Sequence, residues 1–339
     1  MATRFCAFFA VALIFLTGCS DARNTVGSGG GGGGVGVGQM YVSTPAAILR
    51  FSNALNATGN IAPVATITGT ATGLSAPQRI VVDPATNRLF VANQGTSSIM
   101  IFESASTASG NAAPTRTIAG AATLLSSPVD LALDTTDNIL YVADGTNIQV
   151  FLNASTITGN VPPVHTINMG FAIGDIFVDS ANNRLYVADT VGNAIDRLDG
   201  ANAQNGAPVV GASILGGSTG LSHPSGLTLD GSDRLFVSNA GSPASITVYA
   251  NASTAAGNVS PVATITGLAT TLAAPGQLVL NPGVTGGELY VADSLAGSIT
   301  VFSNVAAANG NVAPARVISG ASTGLSANAV NGVALDPAR

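Results

Sequence analysis

The stretch Arg88-Leu-Phe-Val-Ala-Asn93 returns along the chain as Ile139-Leu-Tyr-Val-Ala-Asp144, Arg184-Leu-Tyr-Val-Ala-Asp189, Arg234-Leu-Phe-Val-Ser-Asn239 and Glu288-Leu-Tyr-Val-Ala-Asp293, with a shorter first copy at Gln39-Met-Tyr-Val-Ser43. Counted from the shared valine (Val42, Val91, Val142, Val187, Val237, Val291), the copies lie 49, 51, 45, 50 and 54 residues apart. That period fits a four-stranded propeller blade, whereas helical solenoid repeats are shorter or lack strands. Each run is apolar on both faces, the pattern of a strand covered from two sides.

Outward from this run, every unit has the same grammar. An apolar run ending in Asp comes first, then a turn, the Leu-Tyr/Phe-Val run, a third run such as Ser98-Ile-Met-Ile-Phe102 and a fourth such as Val262-Ala-Thr-Ile-Thr266. Four strands in each of six units predict an all-β, six-bladed β-propeller over 39–339. The turns Asp83-Pro84-Ala-Thr-Asn87, Asp134-Thr-Thr-Asp-Asn138 and Asp179-Ser-Ala-Asn-Asn183 open with an Asp able to accept backbone N–H groups, a structural role. Gly59-Asn60, Gly110-Asn111, Gly159-Asn160, Gly257-Asn258 and Gly310-Asn311 read as a shared turn before the fourth strand. The chain enters the repeats at a second strand and ends on a first strand, Gly332-Val-Ala-Leu-Asp336, so the tail is expected to complete the first blade and close the ring.

Composition narrows the function classes. The chain has 339 residues, of which 8% are charged, and a net charge of −6 with only 11 Lys+Arg, so it offers no basic stripe to nucleic acid or anionic lipid. Arg4, the apolar run Phe5 to Leu16 and the small residues after it have the order of an export signal, predicting a signal peptide over 1–18. Leu16-Thr17-Gly18-Cys19 resembles the lipobox of bacterial lipoproteins, which implies lipidation at Cys19 and a mature chain beginning there. Ser20 at the next position resembles the pattern sent on to the outer membrane. Residues 19–38, with the run Gly29 to Gly34, have the composition of a flexible tether. With Cys6 in the leader and Cys19 lipidated, no thiol remains for a disulfide.

The first two strands of each unit, for example Ser127-Pro128-Val-Asp-Leu-Ala-Leu-Asp134 followed by Ile139-Leu-Tyr-Val-Ala-Asp144, resemble NHL-type repeats of six-bladed propellers, from about 39 to 339. The Arg often found in that family's third strand is absent, as in Ser298-Ile-Thr-Val-Phe302. The resemblance implies the fold and leaves binding scaffolds, interaction modules and metal-dependent lactonases or lyases as function classes.

Relatives of this shape that are enzymes place their groups at the mouth of the central channel. Alignment of the innermost strands puts Arg79, Asp130, Asp175, Gly226, Gln277 and Gly332 at one ring position. Asp130 and Asp175 with Gln277, and His223 just upstream in Leu221-Ser-His-Pro224, could supply ligands to Ca²⁺ or another divalent ion. Against this, Arg79 and the two aspartates can simply neutralise one another. His165 falls in a fourth strand at the periphery, and Asp144-Gly-Thr-Asn147 lacks the alternating acidic ligands of a calcium loop. No zinc motif or paired Cys motif is present. The unit from about Asp175 to Gly216 breaks the pattern: it is the shortest, reverses Gly-Asn to Asn205-Gly206, and carries Asp196, Arg197 and Asp199 in its third strand. The leading expectation is a monomeric, lipid-anchored propeller at the bacterial cell envelope, on the outer membrane, that binds a protein or glycan with no catalytic residue. The alternative is a lactonase or lyase holding a divalent ion on Asp130 and Asp175.

Overall fold

The computed structural model describes residues 38–339. The expected signal peptide, Cys19 and the Gly29 to Gly34 run lie outside the described residues. Blade 1 receives β1 (Gln39–Thr44), β2 (Ala47–Ser52) and β3 (Ala65–Ile67); blade 2 receives β4 (Pro77–Asp83), β5 (Arg88–Asn93), β6 (Ser98–Glu103) and β7 (Arg116–Ile118). Blade 3 holds β8 (Pro128–Asp134), β9 (Ile139–Asp144), β10 (Asn147–Leu152) and β11 (His165–Asn168). Blade 4 holds β12 (Ile173–Asp179), β13 (Arg184–Asp189), β14 (Ala194–Asp199) and β15 (Val210–Leu215). Blade 5 holds β16 (Pro224–Leu229), β17 (Leu235–Asn239), β18 (Ser245–Tyr249) and β19 (Ala263–Thr266). Blade 6 holds β20 (Pro275–Asn281), β21 (Glu288–Asp293), β22 (Ser298–Ser303) and β23 (Arg316–Ile318), after which β24 (Gly332–Asp336) returns to blade 1. The protein is a six-bladed β-propeller of four-stranded antiparallel sheets.

The closing strand pairs as the order of elements requires. Met40 faces Leu335 and Val42 faces Val333 across β1 and β24. Closure removes the two edges an open stack of blades would expose.

The core is divided among the seams between blades. In β5, Leu89 and Val91 pack toward blade 1, while Phe90 and Ala92 pack toward blade 3. Alternation along a strand therefore serves two cores, which is why these runs have no polar face. The seam between blades 6 and 1 is as complete as the others, with Tyr290, Val301, Phe51 and Val333 buried together.

The turn aspartates act as expected. The Asp83 carboxylate accepts from Ala85 N (3.0 Å), Asp134 from Thr136 N (2.8 Å) and Asp179 from Asn182 N (3.3 Å). The Gly-Asn pairs do more than turn the chain. Gly110 N donates to Thr66 O of the preceding blade at 2.7 Å, Thr68 N returns a bond to Gly110 O at 2.9 Å, and Asn111 Oδ1 accepts from Ala71 N at 2.7 Å. Asn111 lies so close over Gly69, at φ +117°, that a Cβ there would sit 2.5 Å from its Oδ1. Asn60, Asn160, Asn258 and Asn311 make the same cap on Ser322, Ala122, Ser218 and Ala269. These loops are clasps that tie each blade's rim to the one before. Blade 4 keeps the glycine bridge, Gly206 N to Thr166 O at 2.8 Å, but has Ala207 where the capping Asn would stand.

Candidate functional site at the channel mouth

Innermost strands pair within their sheet on one side only, and their other edge faces a neighbouring blade around the axis. Backbone groups buried there need partners. Five of these strands carry a register irregularity at the ring position, between Pro77 and Ile80, Pro128 and Asp130, Ile173 and Asp175, Pro224 and Gly226, and Pro275 and Leu278. A bulge leaves backbone groups unpaired and re-aims the side chain beside it. The ring residues meet that need by a regular rule. Asp130 accepts from Ile176 N (2.7 Å), Asp175 from Leu227 N (2.7 Å) and Gln277 from Val333 N (2.9 Å), each reaching the residue after the ring position of the next blade. Gln277 also donates to Ile80 O at 3.2 Å.

Two ring positions are glycine, and both are compensated. Gly226 faces Ser238 across β16 and β17, and Gly332 faces Ser43 across β24 and β1. Ser238 Oγ donates to Gly276 O (2.6 Å) and Ser43 Oγ to Gln78 O (2.5 Å), so a hydroxyl closes the seam from the second strand. No side chain fits at Gly226, where a Cβ would lie 2.1 Å from Gly276 O. Where the ring residue is Arg, Asp or Gln, the second strand carries Ala92, Ala143, Ala188 or Ala292 at the corresponding place. Sequence reasoning aligned the ring but missed Ser43 and Ser238. Their signal was the change from Val-Ala to Val-Ser in those two copies.

Arg79 occupies the sixth position and does something different. Its guanidinium pairs with Asp175 of blade 4 and donates to the carbonyl of Ser225 in blade 5, diametrically opposite its own blade. The side chain thus lies across the channel. Asp175 is fully buried, as is Asp130. His223 is elsewhere in character: its side chain is exposed, its backbone sits at φ +50°, and its N–H donates to Asn193 Oδ1 at 2.7 Å. Among the described residues, no group of three or more His, Cys, Asp or Glu comes together as a metal site. His165 is half-buried in β11, and Asp144 accepts from Ser126 N at 3.0 Å as part of a turn-to-loop tie.

The irregular fourth blade is the other place where chemistry concentrates. Arg197 holds Asp199 through two bonds of 3.0 Å, and Arg184 adds a third at 3.1 Å. The Arg197 hydrogen bonds, joined by attraction to Arg184, hold the Asp199 carboxyl below the usual carboxylate range. Asp196 goes the other way: partial burial pushes its carboxyl up, a bond from Ser213 Oγ (2.5 Å) pulls it down, and the nearby Asp189 charge raises it again.

With this geometry in view, comparison with solved structures is informative about architecture. A chain of a nidogen/laminin complex is similar over 88% of this chain and 98% of its own, with a TM-score of 0.61 and 16% identity. The likeness is one of fold. A functionally unknown protein from Desulfotomaculum acetoxidans is similar over 88% of this chain and 98% of its own, with a TM-score of 0.53 and 15% identity. Hydrazine synthase of Kuenenia stuttgartiensis is similar over 70% of this chain and 65% of its own, at a TM-score of 0.50 and 17% identity. No protein-family model and no curated protein matches the sequence.

Proposed function

We propose that the protein is a binding scaffold of the bacterial cell envelope: a ring of NHL-type repeats, anchored on the outer membrane through lipid at Cys19, that binds a protein or glycan and catalyses no reaction. The observation that carries this reading is the Arg79 guanidinium lying across the channel, bonded to Asp175 and to Ser225 on the far side. The groups that would gather a substrate or divalent ion, Asp130, Asp175 and Gln277, are already engaged in holding neighbouring inner strands together. A lactonase or lyase reading is not favoured by such a ring. The nidogen/laminin complex gives a precedent for the same architecture in a protein-binding role. Metal analysis and thermal shift with EDTA test the scaffold reading; no bound metal and no shift are expected, whereas stoichiometric metal with a lowered Tm on chelation would overturn it. Separately, Cys19→Ala is expected to release the protein from the membrane fraction, and continued membrane association would refute the anchor.

A further inference from the structure

Blade 4 departs from the repeat at its upper end. From the recurrent isoleucine of an outer strand to the first residue of the next inner strand, the chain runs from Ile67 to Pro77, Ile118 to Pro128, Ile214 to Pro224 and Ile265 to Pro275. Into blade 4 it runs only from Ile167 to Ile173, four residues fewer, and the capping Asn of the clasp is missing. The longer connectors cover two positions at the upper end of their blades, the end where these connectors lie. One is the last residue of the second strand, buried as Thr44, Asn93, Asp144, Asn239 and Asp293. The other lies in the third strand, buried as Leu49, Met100, Gln149, Thr247 and Thr300.

In blade 4 these positions are Asp189 and Asp196, and both are half-buried. The buried Asn93, Asp144, Asn239 and Asp293 tie down the connector by accepting from Ser75, Ser126, Ser222 and Ala273. Asp189 instead turns to its own hairpin, accepting from Val191 N (3.1 Å) and Gly192 N (2.7 Å). Neither Asp189 nor Asp196 makes an ion pair among the described residues. Asp196 faces Val187 and Ala194 faces Asp189, so the two carboxylates stand diagonally on one face of paired strands, where their like charges repel. Exposed apolar side chains lie beside them: Val191, in the turn after Asp189, is 75% exposed, and Leu215, paired with Ala194 two residues before Asp196, is exposed.

We propose that the upper end of blade 4 is a docking notch for a protein segment that presents an arginine or lysine beside an apolar residue. This rests on the scaffold reading and names the partner's chemistry. A cation between the two carboxylates relieves their repulsion, and the apolar neighbour covers Val191 and Leu215; charge complementarity of this kind selects the partner. Two carboxylates and the Ser213 hydroxyl fall short of the roughly six to eight oxygens that calcium takes.

The test is selection of a displayed random octapeptide library on the full chain in detergent, followed by fluorescence anisotropy of the selected peptides. Binders are expected to be enriched in Arg or Lys next to an apolar residue. Their affinity should fall at least tenfold on the double substitution Asp189→Asn with Asp196→Asn, and at least tenfold on Val191→Lys, which places a cation at the notch from an exposed position. A melting curve checks that each variant folds. Binders without basic residues, or with affinity unchanged in both variants, would overturn the notch while leaving the scaffold reading in place. A selection that yields no binder would overturn both the notch and the protein-binding form of that reading.

Discussion

Replacing Arg79 with Met keeps most of the aliphatic bulk and removes the guanidinium that Asp175 and the Ser225 carbonyl share. Asp175 is fully buried and the Arg79 side chain is only 12% exposed, so solvent does little to screen this pair. Removing one partner of a buried pair costs about 3–5 kcal/mol, because the charge left behind stays desolvated. Leu227 N still donates to Asp175, which places R79M near the lower end, about 3 kcal/mol. D175N keeps an oxygen for Leu227 and loses a charge-assisted bond, for about 2 kcal/mol. The double variant leaves no buried charge from this pair. Its cost is expected near 2–3 kcal/mol rather than the sum of about 5, a coupling of roughly 2–3 kcal/mol. Guanidinium unfolding followed by tyrosine fluorescence measures all three, since the chain has five tyrosines, all buried, and no tryptophan. A coupling below about 0.5 kcal/mol would refute the claim that this bond closes the channel, since residues in one buried network couple by about 0.5–3 kcal/mol.

Four other outcomes follow from the same geometry. Deleting 330–339 removes β24 with buried Val330, Val333 and Leu335; at about 1.5–3 kcal/mol each this approaches a domain's whole stability, so aggregation or loss of the cooperative melt is expected, and an unchanged Tm would contradict the closure. Replacing Asn111 with Ala removes one exposed cap at a cost of about 1 kcal/mol, and the five-site variant at Asn60, Asn111, Asn160, Asn258 and Asn311 is expected to lose roughly 3–5 kcal/mol in chemical denaturation, the sites being separate. Asp196 has a folded pKa raised above its unfolded value, so its ionised form is a stability penalty that grows as pH rises through the folded pKa; D196N is expected to raise Tm at pH 7 and to lose that advantage below the unfolded pKa of about 4. Burial raises the pKa of all five tyrosines, with Tyr249 pushed up to about 12, so absorbance at 295 nm should stay flat well past the ordinary phenol range in native protein and rise there once it is unfolded.

The ring and its closure were legible because a blade is a local object. Its first three strands are separated by turns of a few residues, and the Leu-Tyr/Phe-Val run fixes their phase. What joins one blade to another was not legible in the same way. The Asn111 cap on Ala71 spans 40 positions, so within its own unit the Gly-Asn pair looks like any turn that tolerates positive φ. The seam rule needs the register that sets Gly226 opposite Ser238 before the exchange of Ala for Ser acquires meaning. The short fourth unit was visible as a spacing of 45, but only fixed strand ends locate the missing residues between Ile167 and Ile173 and show which carboxylates they uncover.

In a repeat protein the other copies serve as controls for each departure. Loss of the ring side chain at Gly226 and Gly332 is matched by a serine hydroxyl on the facing strand, and the seam survives; that is structural drift held in check by an unsatisfied carbonyl. Arg79 replaces an acceptor with a donor, yet finds its acceptors across the axis, and the channel gains a bar. Asp196 has only a partial answer, a bond from the facing Ser213 hydroxyl, and burial with a nearby like charge still raises its carboxyl. It stands where other blades bury leucine, methionine, glutamine or threonine, keeps a like charge nearby, and lies under a connector too short to cover it. A carboxylate whose cost to its own blade is offset only in part by one hydroxyl is the place to look for a stabilising contact from outside the ring. That is why the fourth blade, rather than the channel, is where a partner should be sought.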